Sequence, residues 1–245
     1  MRAVLDIEEL PVTDSIEFLR DRMLRAPVPL LLEPRPHEDL VVRSRVADLG
    51  AIHLLCTKAQ GGDVVRTAAL ARDDARPSLM VSVIDHGTAR IIRGDQVTNL
   101  NAGDIGLYAT AQPYRLSFTD GAERLTYQIP LDALDLPWEL LSRQLPVAIL
   151  PETVTTAAVS AFLRSTARNA PGGTPAELAS LQKPTMDLIR LLLTRVEPGA
   201  AAGREAAAES LSTRIEEHVK SRIATPTCPP DRSPSLSRSP NGTST

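Results

Sequence analysis

The chain has 245 residues, 42% hydrophobic and 23% charged, with a formal net charge of −3. That length supports a sizeable core in one large domain or two small ones, and the near-neutral balance advertises neither nucleic acid nor an anionic membrane. Two distant thiols (Cys56 and Cys228), acidic residues in place of a signal core near the N-terminus (Asp6, Glu8, Glu9) and only short apolar runs exclude a disulfide scaffold, a secreted precursor and a helical membrane protein. A cytoplasmic protein with no membrane partner is expected.

From Ser15 to Leu24 the apolar residues Ile16, Leu19, Met23 and Leu24 recur at helical spacing, which predicts a short amphipathic helix. Pro27, Pro29, Pro34 and Pro36 then impose an extended or turning connector, so residues 1–39 form one segment. Between Leu40 and Leu134 the period changes to that of strands. Val41-Val42, Val46, Ile52 to Leu55 and Val64-Val65 are short, β-branched and interrupted by Gly50 and Gly61-Gly62. Leu79 to Ile84, the turn Asp85-His86-Gly87 and Thr88 to Ile92 predict a hairpin. Val97–Leu100, Ile105–Ala109, Tyr114–Phe118 and Leu125–Ile129 bring the number of short strands to roughly eight or nine, at the spacing of antiparallel barrels. No helical pattern interrupts them, which argues against a parallel α/β sheet.

Beyond Pro137 the pattern is helical. Trp138–Leu145 is one candidate, and Glu152–Arg168 a second, with Val154, Ala158, Ala161 and Phe162 on one face. Gly172-Gly173 breaks it. A third helix, Pro175 to Val196, carries the stripe Leu178, Leu181, Leu188, Leu192 and Val196, with Pro184 set to kink or split it. Residues 135–198 are thus a helical segment. Residues 199–224 read as an Ala/Gly-rich linker and a last helix with Leu211, Ile215, Val219 and Ile223 in an i, i+4 row. Pro, Ser and Thr dominate residues 225–245, a composition that cannot offset its ordering entropy and predicts disorder.

The most specific stretch runs from Asn101 to Phe118. Gly103-Asp104 supplies a tight turn with access to positive φ. Ile105, Leu107 and Ala109 alternate with Gly106, Tyr108 and Thr110; Gln112-Pro113 makes a corner; Tyr114, Leu116 and Phe118 alternate back. This segment resembles the barrel of AraC-type sensor domains, where a Gly-Asp turn precedes an apolar strand ending in a Pro-aromatic corner. The flanking pieces resemble the same family in order: Val41–Gly50 and Ile52–Leu55, then Arg66 and the Arg72-Asp73-Asp74 turn before Leu79–Ile84. Gly87–Gly94 and Leu125–Pro130 complete the series.

The resemblance covers roughly residues 15–223. It implies an α+β fold: an antiparallel cupin-like or jelly-roll β-barrel, residues 40–134, followed by a C-terminal helical segment. It also implies an unknown small-molecule effector, a homodimer formed through the flanking helices, and DNA contact only through a following helix-turn-helix domain. Leu211–Ile223 with Thr225-Pro226-Thr227 resembles the first helix and turn of that domain. The basic residues after His218 (Lys220, Arg222, Arg232, Arg238) do not make a groove-reading face, so that domain is expected to be missing and DNA binding lost. A shift of reading frame near residue 227 would explain the abrupt change of pattern, as would a natural truncation.

Candidate binding residues come from the strands. Tyr108, Tyr114 and Tyr127 are the tyrosines of the chain and all fall in the barrel; each is either a pocket-lining ring or a core aromatic with a satisfied hydroxyl. Alternation puts Met80 and Ser82 on one face of the central strand and Leu79, Val81 and Val83 on the other, without saying which lines the interior. Leu178, Leu181, Leu188 and Leu192 are candidate dimer contacts.

The rival reading is a cupin-like enzyme, an isomerase or a metal-dependent oxygenase. A metal site of that kind needs several converging imidazoles. His37, His53, His86 and His218 are scattered over a connector, a strand, a turn and the last helix, and Tyr114 stands at the corner where a metal-binding cupin often places His. No metal or other cofactor is expected. No Ser-His-acid or Cys-His signature can be picked out; Cys56 reads as a small buried residue and Asp104 as a turn residue, so no catalytic residue is assigned.

Overall fold

The computed structural model describes residues 20–194, apart from 22, 27, 39, 73, 75, 120 and 135–140. Outside the described residues lie most of the helix expected at Ser15–Leu24, the first three residues of the one expected at Trp138–Leu145, Val196, the 199–224 segment with Leu211–Ile223, and the 225–245 tail. Among the described residues the fold is α+β: two antiparallel sheets face each other, and helices cover one of them.

The strands are β1 (Leu31–Pro34), β2 (Val41–Leu49), β3 (Ile52–Gln60), β4 (Gly62–Arg66), β5 (Ser78–His86), β6 (Ala89–Arg93), β7 (Gln96–Leu100), β8 (Ile105–Ala109), β9 (Tyr114–Phe118), β10 (Ala122–Pro130) and β11 (Val147–Ile149). One sheet runs β1-β4-β9-β6-β7 and the other β11-β8-β5-β10-β3-β2. Two strands lie outside the 40–134 stretch. β1 forms within the Pro-rich connector and pairs with β4 at the sheet edge, where Pro34 is tolerated. β11 lies inside the 135–198 segment read as helical, between its first two candidate helices, and pairs with β8.

The hairpin expected across Asp85-His86-Gly87 does not form. β5 pairs with β8 and β10, whereas β6 pairs with β7 and β9, so the chain crosses from one sheet to the other at this turn. Gly87 has φ +74°, as a tight turn requires. Its corner packs against the Thr119–Ala122 corner, where the Thr88 N–H donates to Thr119 Oγ1 at 2.9 Å and the Thr119 N–H to the Thr88 carbonyl at 3.1 Å. Two such corners stacked together make the jelly-roll crossing. The Gly103-Asp104 turn forms as expected: Gly103 has φ +95° and the Asp104 carboxylate accepts the Asn101 N–H at 2.7 Å.

The two sheets differ in their burial. In β9, Tyr114, Leu116 and Phe118 point inward, while Arg115 and Ser117 bond Asp63 on the outer face. In the six-stranded sheet both faces are covered, so Ser78 to Asp85 of β5 is buried without interruption. Leu79, Val81 and Val83 face the helices; Met80 and Ile84 face the opposite sheet.

The helices are α1 (Ala68–Arg72), α2 (Val154–Asn169), α3 (Pro175–Ser180) and α4 (Gln182–Leu193). The short α1 interrupts the expected run of strands. Arg66, 1% exposed, anchors it: the guanidinium donates to the carbonyls of Thr110, Pro29 and Leu70 and pairs with Asp74 at 3.0 Å. One buried charge thereby ties β4, α1, the β8 end and the N-terminal connector together.

α2 starts at a Thr153 capping box, with the Thr153 side chain accepting from the Thr156 N–H. Its buried face is Thr156, Val159, Ser160, Leu163, Thr166 and Ala167, whereas Val154 is 89% exposed. Of the apolar face expected from Val154, Ala158, Ala161 and Phe162, the first three are exposed and Phe162 alone packs partly against the core, because half of the buried positions are small hydroxyl residues. The single helix expected over Pro175–Val196 is two. Leu181 separates α3 from α4, and Pro184 sits in the first turn of α4, where a missing N–H breaks no helical bond. Leu192 is fully buried, and Leu178, Leu181 and Leu188 pack partly against the core beneath the six-stranded sheet. Leu192 thus leaves the set of dimer contacts, having no surface to offer a second copy.

Candidate ligand-binding cavity

Between the sheets lies a cavity of about 620 Å³. Its floor comes from inward positions of β3, β5, β8, β9 and β10, and the segment around Met23–Leu30 forms a wall. Most of the lining is apolar, with Leu32, Val64, Met80 and Leu116 among it, as pockets for small molecules require.

The face of β5 that lines the interior is that of Met80 and Ser82. Met80, Tyr108 and Tyr114 line the cavity directly. Ser82 sits behind them, its hydroxyl 3.1 Å from Tyr108 Oη and 2.8 Å from Thr126 Oγ1. That chain satisfies the Tyr108 hydroxyl. The Tyr114 ring meets Tyr108 edge-on, centroids 4.8 Å apart at 72°, but the Tyr114 hydroxyl is buried with no hydrogen-bond partner. Burial pushes the Tyr114 phenol well above its ordinary value, so it stays protonated and able to donate.

Tyr127 belongs elsewhere. Alternation along β10 turns Leu125, Tyr127 and Ile129 toward the helices, and the Tyr127 hydroxyl donates to the Leu163 carbonyl at 2.6 Å. It is a core residue with a satisfied hydroxyl and no access to the cavity.

The same alternation brings in three residues that the sequence pattern did not single out: Arg124, Thr126 and Gln128 all line the cavity. The signal was present, since they have the opposite parity to Tyr127, but it needed the knowledge of which face is inner. Arg124 Nε and Nη1 are buried without a hydrogen-bond partner, and the guanidinium carbon stands 4.8 Å from the Phe118 ring centroid. Two acidic groups of the lining are paired: Asp21 with Arg25 at 2.9 Å and Asp48 with His53 at 2.7 Å.

A metal centre of the cupin kind does not fit this lining. It offers one imidazole, His53, already bonded to Asp48. Asp85, His86 and Glu123 do approach one another at the sheet-crossing corner. There the 6%-exposed Asp85 carboxylate is taken by Arg164 and Arg168, each at 2.8 Å. Burial opposes its ionisation, but those guanidinium bonds prevail and hold it below the ordinary carboxylate value. The Cys56 thiol, on the helix side, is pushed up by burial and is therefore not an activated nucleophile.

Residues 19–212 match the AraC-binding-like domain family. The chain belongs to that family. A curated relative, an uncharacterized protein in the nit 5′ region of Bacillus sp. (strain OxB-1), is 22% identical over 96% of this chain and 92% of its own length. Among solved structures the AraC-like transcriptional activator CuxR is 15% identical and superposes with a TM-score of 0.64 over 76% of this chain and 69% of that one. A cupin-2 domain protein from Shewanella frigidimarina is 20% identical over 36% of this chain and 78% of its own, at a TM-score of 0.28. The AraC-binding-like domain of this chain shares its fold with CuxR, and its cavity lies in the barrel interior. No helix among its described residues is long and apolar enough to cross a membrane.

Proposed function

We propose that this chain is the effector-sensing and dimerising module of an AraC-type transcription regulator, without enzymatic activity, in the cytoplasm. One observation carries the reading: a cavity of ligand size, inside the barrel of an AraC-binding-like domain, is lined by Tyr114 and Arg124, whose buried polar atoms have no hydrogen-bond partner among the described residues. Such groups cost free energy in the empty domain and are satisfied by a bound small molecule. In a regulator, a ligand that favours one of two dimer arrangements shifts their populations and so reorients attached DNA-binding units. The chain acts through dimers, with itself or with a relative.

A thermal-shift screen of small organic acids, amides, amines and aromatics against the whole chain tests the sensing role. A binder raises the melting temperature by mass action, and Ala59→Phe, which fills the cavity from β3, abolishes the shift. A screen without any stabilising compound, or binders indifferent to Ala59→Phe, would overturn the reading.

A further inference from the structure

Resting on that sensor reading, we propose that the effector is an organic carboxylate with an apolar body, its anionic end held by Arg124 and Tyr114. The charge balance of the cavity points to the anion. Asp21 is neutralised by Arg25 and Asp48 bonds His53, which leaves Arg124, among the described residues, as the lining cation with no counter-charge. Its Nε and Nη1 are buried and have no hydrogen-bond partner among the described residues. A buried guanidinium without an acceptor is expensive, and an entering anion with lone pairs to spare removes that cost.

Tyr114 agrees independently. Tyr114, 5% exposed, lines the same cavity, and its buried hydroxyl also lacks a partner among the described residues. Burial keeps it protonated, which makes it a donor suited to an acceptor-only group such as a carboxylate. By contrast the neighbouring Tyr108 hydroxyl is already committed to Ser82. Two unspent donors, one of them cationic, therefore converge on a cavity whose other walls are largely aliphatic and aromatic. An amine would meet a like charge there. A sugar would leave most of its hydroxyls against Leu32, Val64, Met80 and Leu116. The body of the ligand is therefore apolar, and the 620 Å³ volume suits a molecule of the size of an aryl or medium-chain acid.

Matched probes decide it. Phenylacetate and hexanoate, their amides and the corresponding amines are titrated calorimetrically into the whole chain, wild type and the variants Arg124→Met, Arg124→Lys and Tyr114→Phe. The expected result is binding of the carboxylates at least tenfold tighter than that of the isosteric amides, and no binding of the amines. Arg124→Met loses the carboxylate by at least tenfold, Arg124→Lys keeps part of it, and Tyr114→Phe weakens it several-fold. The unliganded Arg124→Met protein melts no lower than wild type, because no internal hydrogen bond to Nε or Nη1 is lost; a fall of more than about 4 °C, about 1 kcal/mol or more for a domain of this size, marks a structural guanidinium and overturns the proposal. Amides or amines that bind as well as the acids, unaffected at Arg124, overturn the carboxylate inference while leaving the sensor reading intact. Failure of every probe at millimolar concentration, with the broader screen also silent, overturns both.

Discussion

Three tyrosines in one barrel have three different fates, and the difference lies in where each hydroxyl ends. Tyr127 donates to the Leu163 carbonyl, Tyr108 shares a chain with Ser82 and Thr126, and the Tyr114 hydroxyl is buried without a partner among the described residues. Removing a hydroxyl that is bonded strands a buried acceptor; removing one that is unbonded relieves a desolvated donor. Tyr127→Phe is therefore expected to cost about 1–3 kcal/mol, and Tyr114→Phe to be neutral or slightly stabilising. Urea denaturation of both variants at one protein concentration gives the comparison, and equal destabilisation would show that Tyr114 has a partner after all. Arg66 and Arg124 make the same contrast among cations. Arg66 bonds three carbonyls and Asp74 and is structural; Arg124 has its buried nitrogens unspent and is available for binding.

Elements are held together at this barrel's corners and at a close approach of its sheets. Gly106 of β8 marks that approach. A Cβ there would stand 2.6 Å from Leu100 Cδ1 and 3.0 Å from Ile91 Cδ1, both on the facing sheet. Gly106→Ala is expected to lower stability by about 1–3 kcal/mol through overpacking. The double variant Gly106→Ala/Leu100→Ala is expected to be more stable than the two single losses together predict, since each relieves the other. Strict additivity in that cycle would show that the sheets have room to part. The same crossing explains why a strand-turn-strand pattern misled at Gly87. Local residues specify a turn, but whether the next strand returns to the same sheet depends on partners distant in the chain, β8 for β5 and β9 for β6.

At the scale of the whole molecule, the helices seal one face of the six-stranded sheet and leave little apolar surface for a second copy. Leu192 is consumed by the core, while Leu191 is 42% exposed on α4 and Leu188 is half-buried beside it. A two-fold partner seated on this outer face of α4 is the arrangement we expect. Leu191→Asp should then shift the protein from dimer to monomer in light scattering while the far-ultraviolet spectrum stays unchanged. A wild-type monomer at tens of micromolar, or a dimer unmoved by the substitution, would place the interface elsewhere or nowhere.

Much of this molecule is legible in its residues. The alternation of Tyr114, Leu116 and Phe118, the glycine turn at Gly103 and the switch from period two to helical spacing near Pro137 are local, and local sterics and amphipathicity are written residue by residue. The antiparallel barrel and its helices emerge from those signals together with the family pattern. Tertiary structure alone decided what depends on facing partners. It set which side of the six-stranded sheet is inner, because helices bury the other side just as fully and erase the polar-apolar contrast along β5. It sent Tyr127 to the core and Arg124 to the cavity by an opposite parity along one strand. It also showed which buried hydroxyl and guanidinium remain unpaired, a property of surroundings that no single strand contains.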